Sequence, residues 1–139
     1  KIIVSVNEVK MSSEMDKAFG ESESKLALLK VLLDNSFDSI LITDTTVKGS
    51  ITYANKAFKK LTGYEQSEVI GKTPRILQGP GTDKNVIRKL ATALKTEKSF
   101  EGKAVNYKKD GTPFIMHWKV VPIKVDKKVA AWIAIQRQG

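Results

Sequence analysis

No cysteine occurs among the 139 residues, and histidine occurs once, as His117. Without a thiol the chain forms no disulfide and offers no thiolate, either as a nucleophile or as a metal ligand. A single imidazole supplies neither a histidine-based catalytic pair nor a zinc cluster. No run of about 18 apolar residues is present to span a bilayer, and no charged start, apolar core and cleavage site mark a secretory signal. Gly79-Pro80-Gly81 lacks the Gly-Lys-Ser/Thr ending of a phosphate-binding loop, and no paired carboxylates stand in a pocket-like context. These absences argue against an enzyme. They favour a cytoplasmic location, whether the chain acts alone or as a fragment of a membrane-anchored receptor.

What is present suits one globular domain with a flanking segment, since hydrophobic residues make up 41% of the chain and charged residues 28%. A net charge of +9 arises from 24 Lys and Arg against 15 Asp and Glu. The lysines are scattered through helices, turns and strand edges rather than gathered with aromatics on one element. That distribution reads as a solvated surface and not as a nucleic-acid interface.

Ile2 to Val6 is a short β-branched run. Met15, Phe19, Ser22, Leu26, Leu29 and Leu33 then repeat at spacings of four and three, as on one seam of a helix, although Gly20 and Ser22 weaken it. Leu28 and Leu32 widen this ridge. The pattern suits either a partner helix or a helix that covers its own sheet. Residues 1–10 are expected to end an upstream element or linker, 11–35 to form an amphipathic connector helix, and 36–139 to form the main domain.

Within that domain, Ser39 to Asp44 and Ile51 to Tyr53 read as a hairpin around Lys48-Gly49-Ser50. Asn55 is placed to cap a helix carrying Ala57, Phe58 and Leu61, with Gly63 just past its end. A short helical turn from Glu65 to Ile70 stops at Gly71, and Thr82 or Asp83 caps a longer helix carrying Val86, Ile87, Leu90 and Leu94. Three further strands are expected over Gly102 to Lys108, Pro113 to Ile123 and Val129 to Arg137, joined by turns at Lys109-Asp110-Gly111 and near Asp126. Strands grouped on either side of the helices argue for an α+β fold: a five-stranded antiparallel sheet with helices on one face, after an N-terminal amphipathic helix. Met116, Trp118 and Val120 alternate with His117 and Lys119, so His117 is directed away from the helices. A histidine-ligated haem is disfavoured for that reason.

The order of these elements resembles the PAS superfamily and, more closely, its LOV-like branch. The resemblance is carried by Ile42-Thr43-Asp44, Tyr53-Ala54-Asn55-Lys56-Ala57-Phe58, Leu61-Thr62-Gly63-Tyr64, Gly71 to Asp83, Asn106 to Phe114, Val121-Pro122-Ile123 and Gln136. It implies a sensor and a candidate flavin, FMN or FAD. Arg75 resembles the arginine that binds the flavin phosphate, and Gln78 a glutamine on the ribityl chain. Asn106 resembles an asparagine at the isoalloxazine edge, and Gln136 the glutamine that responds to flavin N5.

The departures from that pattern matter as much. Pro74 stands where the photoactive thiol would be, so the cysteinyl-flavin photocycle is excluded. Thr73 replaces a neighbouring asparagine, Met116 replaces a second amide at the ring, and Ala91 stands where many LOV domains place a second phosphate-binding arginine. Each lost polar contact costs about 1–3 kcal/mol, and two together weaken binding by about 100-fold. Trp118 and Trp132 share the face of Met116 and Gln136 and take up space a flavin ring would occupy. Two readings follow: a ligand site built on Arg75, Gln78, Asn106, Met116, Trp118 and Gln136, or a pocket that holds no flavin and whose amides are bonded to backbone or water.

The resemblance implies a sensory or regulatory module of a larger bacterial or archaeal signalling protein, relaying a small ligand or flavin redox state through its flanking helices. A homodimer through the N-terminal helix or the outer sheet face is expected. The effector in the same chain would be a histidine kinase, a cyclic-dinucleotide enzyme or a chemoreceptor. The alternative is a ligand-free PAS dimerisation spacer.

Overall fold

The computed structural model describes residues 13–18, 20 and 22–139. The β-branched run Ile2 to Val6, and Phe19 of the apolar seam, lie outside the described residues. Contacts divide the chain into two units between Leu33 and Asp34. In the first, the expected connector is two helices rather than one: α1 (Ser13–Ala18) and α2 (Ser22–Asp34), with Gly20 in neither. Glycine pays more backbone entropy in a helix than any other ordinary residue, which accounts for the interruption there. Within α2, Leu26, Leu29 and Leu32 are all exposed.

In the second unit, alternation along the chain becomes two-sided strands. The longest, β4 (Pro113–Val125), buries Phe114, Met116, Trp118 and Val120, while Ile115 and Lys119 between them are exposed. It pairs with β3 (Phe100–Tyr107) on one side and β5 (Lys128–Gln138) on the other. The first two strands, β1 (Ser39–Thr43) and β2 (Ile51–Ala54), complete an antiparallel sheet of order β2-β1-β5-β4-β3. The first strand is therefore interior, next to the last, which takes the centre. Turn chemistry closes the hairpins: Gly111 has φ 88°, and Asp126 and Lys127 have φ 51° and 67°, as a tight turn between twisted strands requires.

Helices lie against the buried face. Asn55 caps α3 (Lys56–Thr62), its Oδ1 accepting from Phe58 N at 3.1 Å and from Ile40 N at 2.8 Å, while its Nδ2 donates to Asp38 O. One side chain thus ties the start of β1 to the start of a helix. Gly63 ends α3 in the left-handed region at φ 82°. The short α4 (Gln66–Val69) stops before Gly71, whose N–H donates to Ile51 O. Asp83, not Thr82, caps α5 (Lys84–Lys95) by accepting from Asn85 N at 2.8 Å. Leu41, Ile51, Phe58, Val69, Leu77, Met116, Trp118 and Trp132 form one core between sheet and helices.

The opposite sheet face is polar at His117, whose Nε2 lies 2.6 Å from Glu101 Oε2. At the N-terminal edge of this unit the Tyr53 phenol donates to Asp34 Oδ1 at 2.8 Å; partial burial, with that bond, pushes its pKa up to about 12. No helix among the described residues is long and apolar enough to cross a membrane.

Candidate ligand site

Three neighbouring strands carry the expected site residues on the buried face, with the amides on the outer two. Trp118 of β4 stands directly opposite Gln136 of β5, and Gln136 is in turn opposite Ser39 of β1. Asn106 of β3 faces Phe114, two residues before Met116. Asn106, Met116, Trp118 and Gln136 are all buried, and the Trp118 ring meets Phe100 with centroids 5.3 Å apart, tilted at 51°.

The hydrogen bonds at the two amides are partial. Gln136 Oε1 accepts from Ser39 Oγ at 2.9 Å, and Asn106 Nδ2 donates to Ala104 O at 3.3 Å. Gln136 Nε2 and Asn106 Oδ1 make no further hydrogen bond among the described residues, yet no side-chain polar atom there is both sealed from solvent and unpartnered. Buried amides normally find partners. A donor and an acceptor that no protein group takes up, on one sheet face, are the two functions that a heteroaromatic edge presenting both would call on.

The other end of the site is a loop. Pro74 starts a 3-10 turn (Pro74–Leu77), where its missing N–H costs nothing, and Leu77 anchors the turn in the core. Arg75 on this turn is exposed and Gln78 is half-buried, with Gln78 N donating to Arg75 O at 2.9 Å. Ala91 lies exposed on α5 and brings no charge. Thr82 and Tyr107 hold the loop against β3, a role that sequence reasoning missed. Their only advance signal was the pairing of Gly79 and Gly81, two residues without side chains, with an aromatic at the end of a strand. Ser39 was missed too, because nothing local places β1 beside β5.

Two open depressions lie elsewhere. One of about 420 Å³ is lined by Lys60, Thr62, Gly63, Lys108, Lys109 and Asp110, and one of about 580 Å³ by Asn85, Arg88, Lys89 and Thr92. Neither touches a residue expected in the site. Lysines of the first are already engaged: Lys109 pairs with Glu68 at 2.5 Å, holding that carboxyl below its usual range, and Lys108 Nζ donates to Leu61 O. Among the described residues no group of histidines, cysteines or carboxylates is placed to hold a metal.

A family model described as PAS domain matches residues 38–137. The chain belongs to the PAS domain family. This PAS domain is 44% identical over 88 residues to a blue-light-activated histidine kinase of Brucella anthropi, a stretch covering 63% of this chain and 18% of the kinase. It is 39% identical over 110 residues to phototropin-2 of Oryza sativa subsp. japonica, covering 78% of this chain and 12% of that protein. The chain thus spans less than a fifth of either relative. Among solved structures, the LOV domain of the blue-light-activated histidine kinase of Erythrobacter litoralis EL346 superposes with TM-score 0.70 at 33% identity over 73% of this chain and 94% of that one. A light-oxygen-voltage domain solved in work on a flavin analogue gives TM-score 0.74 at 30% identity, over 81% of this chain and 84% of the other. The five-stranded antiparallel sheet with helices on one face is the fold they share.

Proposed function

We propose that this PAS domain is a non-catalytic sensory module of a larger signalling protein, and that it binds a flavin nucleotide, FMN or FAD, whose redox state it relays through its flanking helices. The observation that carries this reading is the pair of buried amides, Asn106 and Gln136, each with a hydrogen-bonding function that no protein group takes up, on one sheet face. When bound, a flavin would supply a ring whose hydrogen-bonding pattern changes with its redox state. Gln136 would hold the ring edge, Asn106 would orient its other side, and Arg75 and Gln78 would hold the phosphate and ribityl chain. With no cysteine in the chain, a thiol–flavin bond has no part in the response. A change at the ring would instead reach Gln136, and through its bond from Ser39 the start of β1, adjacent to the N-terminal helices along the chain. The likeness to blue-light-activated histidine kinases supports a kinase as the effector.

The first test is the visible absorption spectrum of the protein as purified and after saturation with FMN or FAD. Flavin bands that co-migrate with the protein on gel filtration are expected. A chain that stays colourless after both treatments ends the flavin reading. It would leave the ligand-free spacer, which is favoured by one observation: Met116, Trp118 and Trp132 already belong to the packed core.

Either reading includes a homodimer. Leu26, Leu29 and Leu32 are 65%, 49% and 60% exposed along α2, and burying three leucines contributes roughly 5–8 kcal/mol before the costs of association. Light scattering at tens of micromolar should give a dimer for the whole chain and a monomer for a version starting at Asn35. A monomeric whole chain rules the helix interface out.

A further inference from the structure

The segment from Gln78 to Asp83 has no secondary structure of its own, yet β3 grips it at two points. Thr82 Oγ1 donates to Val105 O at 2.7 Å and accepts from Gly79 N at 3.0 Å. The Tyr107 phenol accepts from Gly81 N at 2.7 Å. Val105 and Tyr107 are the two residues that flank Asn106 on the strand. The Thr82 side chain is buried, and a backbone bond from Thr82 N to Gly79 O at 3.0 Å closes the turn beneath it. Both glycines are required by the same contact. A Cβ on Gly79 would overlap two ring carbons of Tyr107, at 2.3 and 2.5 Å, and one on Gly81 would lie 2.8 Å from the phenol oxygen.

We infer that Thr82 and Tyr107 are positioning residues for the ligand site: they fix the loop that carries Gln78, and the turn that carries Arg75, in register with Asn106. The inference rests on the flavin reading above and adds the device that assembles its two ends. A surface loop left to itself is ordered only when the ligand arrives, and that ordering is subtracted from affinity. Two side-chain hydroxyls remove much of that cost in advance: the strand's Tyr107 accepts from a loop amide and the loop's Thr82 donates to a strand carbonyl, so both tie the loop to the strand that also supplies Asn106. Neither hydroxyl needs to touch the ligand. The contribution of each is therefore expected to fall on the phosphate and ribityl contacts rather than on the ring, whose partners stand on the sheet.

The test uses the whole chain, with wild type, Tyr107→Phe, Thr82→Val and Thr82→Ser, and Tyr53→Phe as a control in which a phenol is lost away from the loop. Tyr107→Phe keeps the ring over Gly79, so the fold is retained. Two quantities are read: dissociation constants for FMN and riboflavin by fluorescence quenching, and amide hydrogen exchange at Gly79 and Gly81 without ligand. In Tyr107→Phe and Thr82→Val, exchange at these amides should speed up and the dissociation constant for FMN should rise about fivefold to tenfold, with a smaller rise for riboflavin. Thr82→Ser should restore both, and Tyr53→Phe should change neither. Faster exchange with an unchanged dissociation constant overturns the positioning role and leaves the flavin reading standing. Unchanged exchange in both variants overturns the grip itself. Failure of wild type to bind FMN or riboflavin removes the flavin reading and the positioning role together, an outcome distinct from the other two.

Discussion

At the sheet end of the site, Asn106, Met116, Trp118 and Gln136 are between 2% and 7% exposed, while at the loop end Arg75 is open to solvent and Gln78 half so. The first set is buried, with Met116 and Trp118 in the core cluster itself, and takes its positions from strand pairing. The second is built on a 3-10 turn and a loop, and its positions come from a few hydrogen bonds. A change at the sheet end therefore costs stability whether or not a ligand is present, because core atoms lose contacts or buried polar groups lose partners. A change at the loop end should leave the fold alone and fall on binding. On the flavin reading proposed above, that separation would make the sheet end suited to transmitting a signal and the loop end suited to selecting the ligand.

The largest expected effect tests the separation directly. Trp118→Ala removes an indole that packs on Phe100 and should lower the unfolding free energy by about 3–5 kcal/mol in urea denaturation. Arg75→Ala should change it by no more than about 0.5 kcal/mol, while raising the dissociation constant for FMN about tenfold and leaving that for riboflavin nearly unchanged. Equal stability losses in the two variants would dissolve the distinction between the ends.

A smaller effect sharpens it. Met116→Asn places an amide among Ala104, Phe114 and Trp118 on the buried face, and without ligand that polar group costs about 1–3 kcal/mol. With FMN present the amide gains a partner, so the variant should bind several-fold more tightly than wild type despite being less stable. Unchanged or weaker binding, at reduced stability, would mean that Met116 does not border the ring.

The difference between the two ends also decided how much was legible in the sequence. Alternation from Phe114 to Val120 was enough to assign Met116 and Trp118 to the buried face and His117 to the other, since a strand leaves a side chain only two choices. Asn55 and Gly63 were equally readable, because capping is settled within a few residues. The partner of Gln136 was not readable. Ser39 lies 97 residues away, and only the strand order, with the first strand beside the last, brings them together. Thr82 shows a second limit. A hydroxyl just before a helix looks like a cap, but Asp83 takes that role and frees Thr82 to bond Val105. The break around Gly20 was visible as a weakness in the ridge, though not as two separate helices, because ridge spacing alone says nothing of where backbone bonds lapse.

The smallest expected effect lies on the outer face of the same strands, where burial no longer amplifies a change. Glu101 is exposed, and its bond with His117 is the main cause holding its carboxyl below the usual range; nearby Lys119 and Lys103 act in the same direction. Because the folded pKa is lowered, the bond stabilises the domain above the ordinary glutamate range near pH 4.3 and loses its effect as pH falls through the folded value. Solvent and salt screen such a pair, so its contribution should be slight even when fully present. Thermal melts of wild type and Glu101→Gln should then differ by a small margin at pH 6, with wild type higher, and converge at pH 3. The margin should shrink in high salt. A difference that persists at pH 3, or one that rivals the loss in Trp118→Ala, would show that the outer face is as tightly built as the inner and that depth in the sheet does not set the cost of a change.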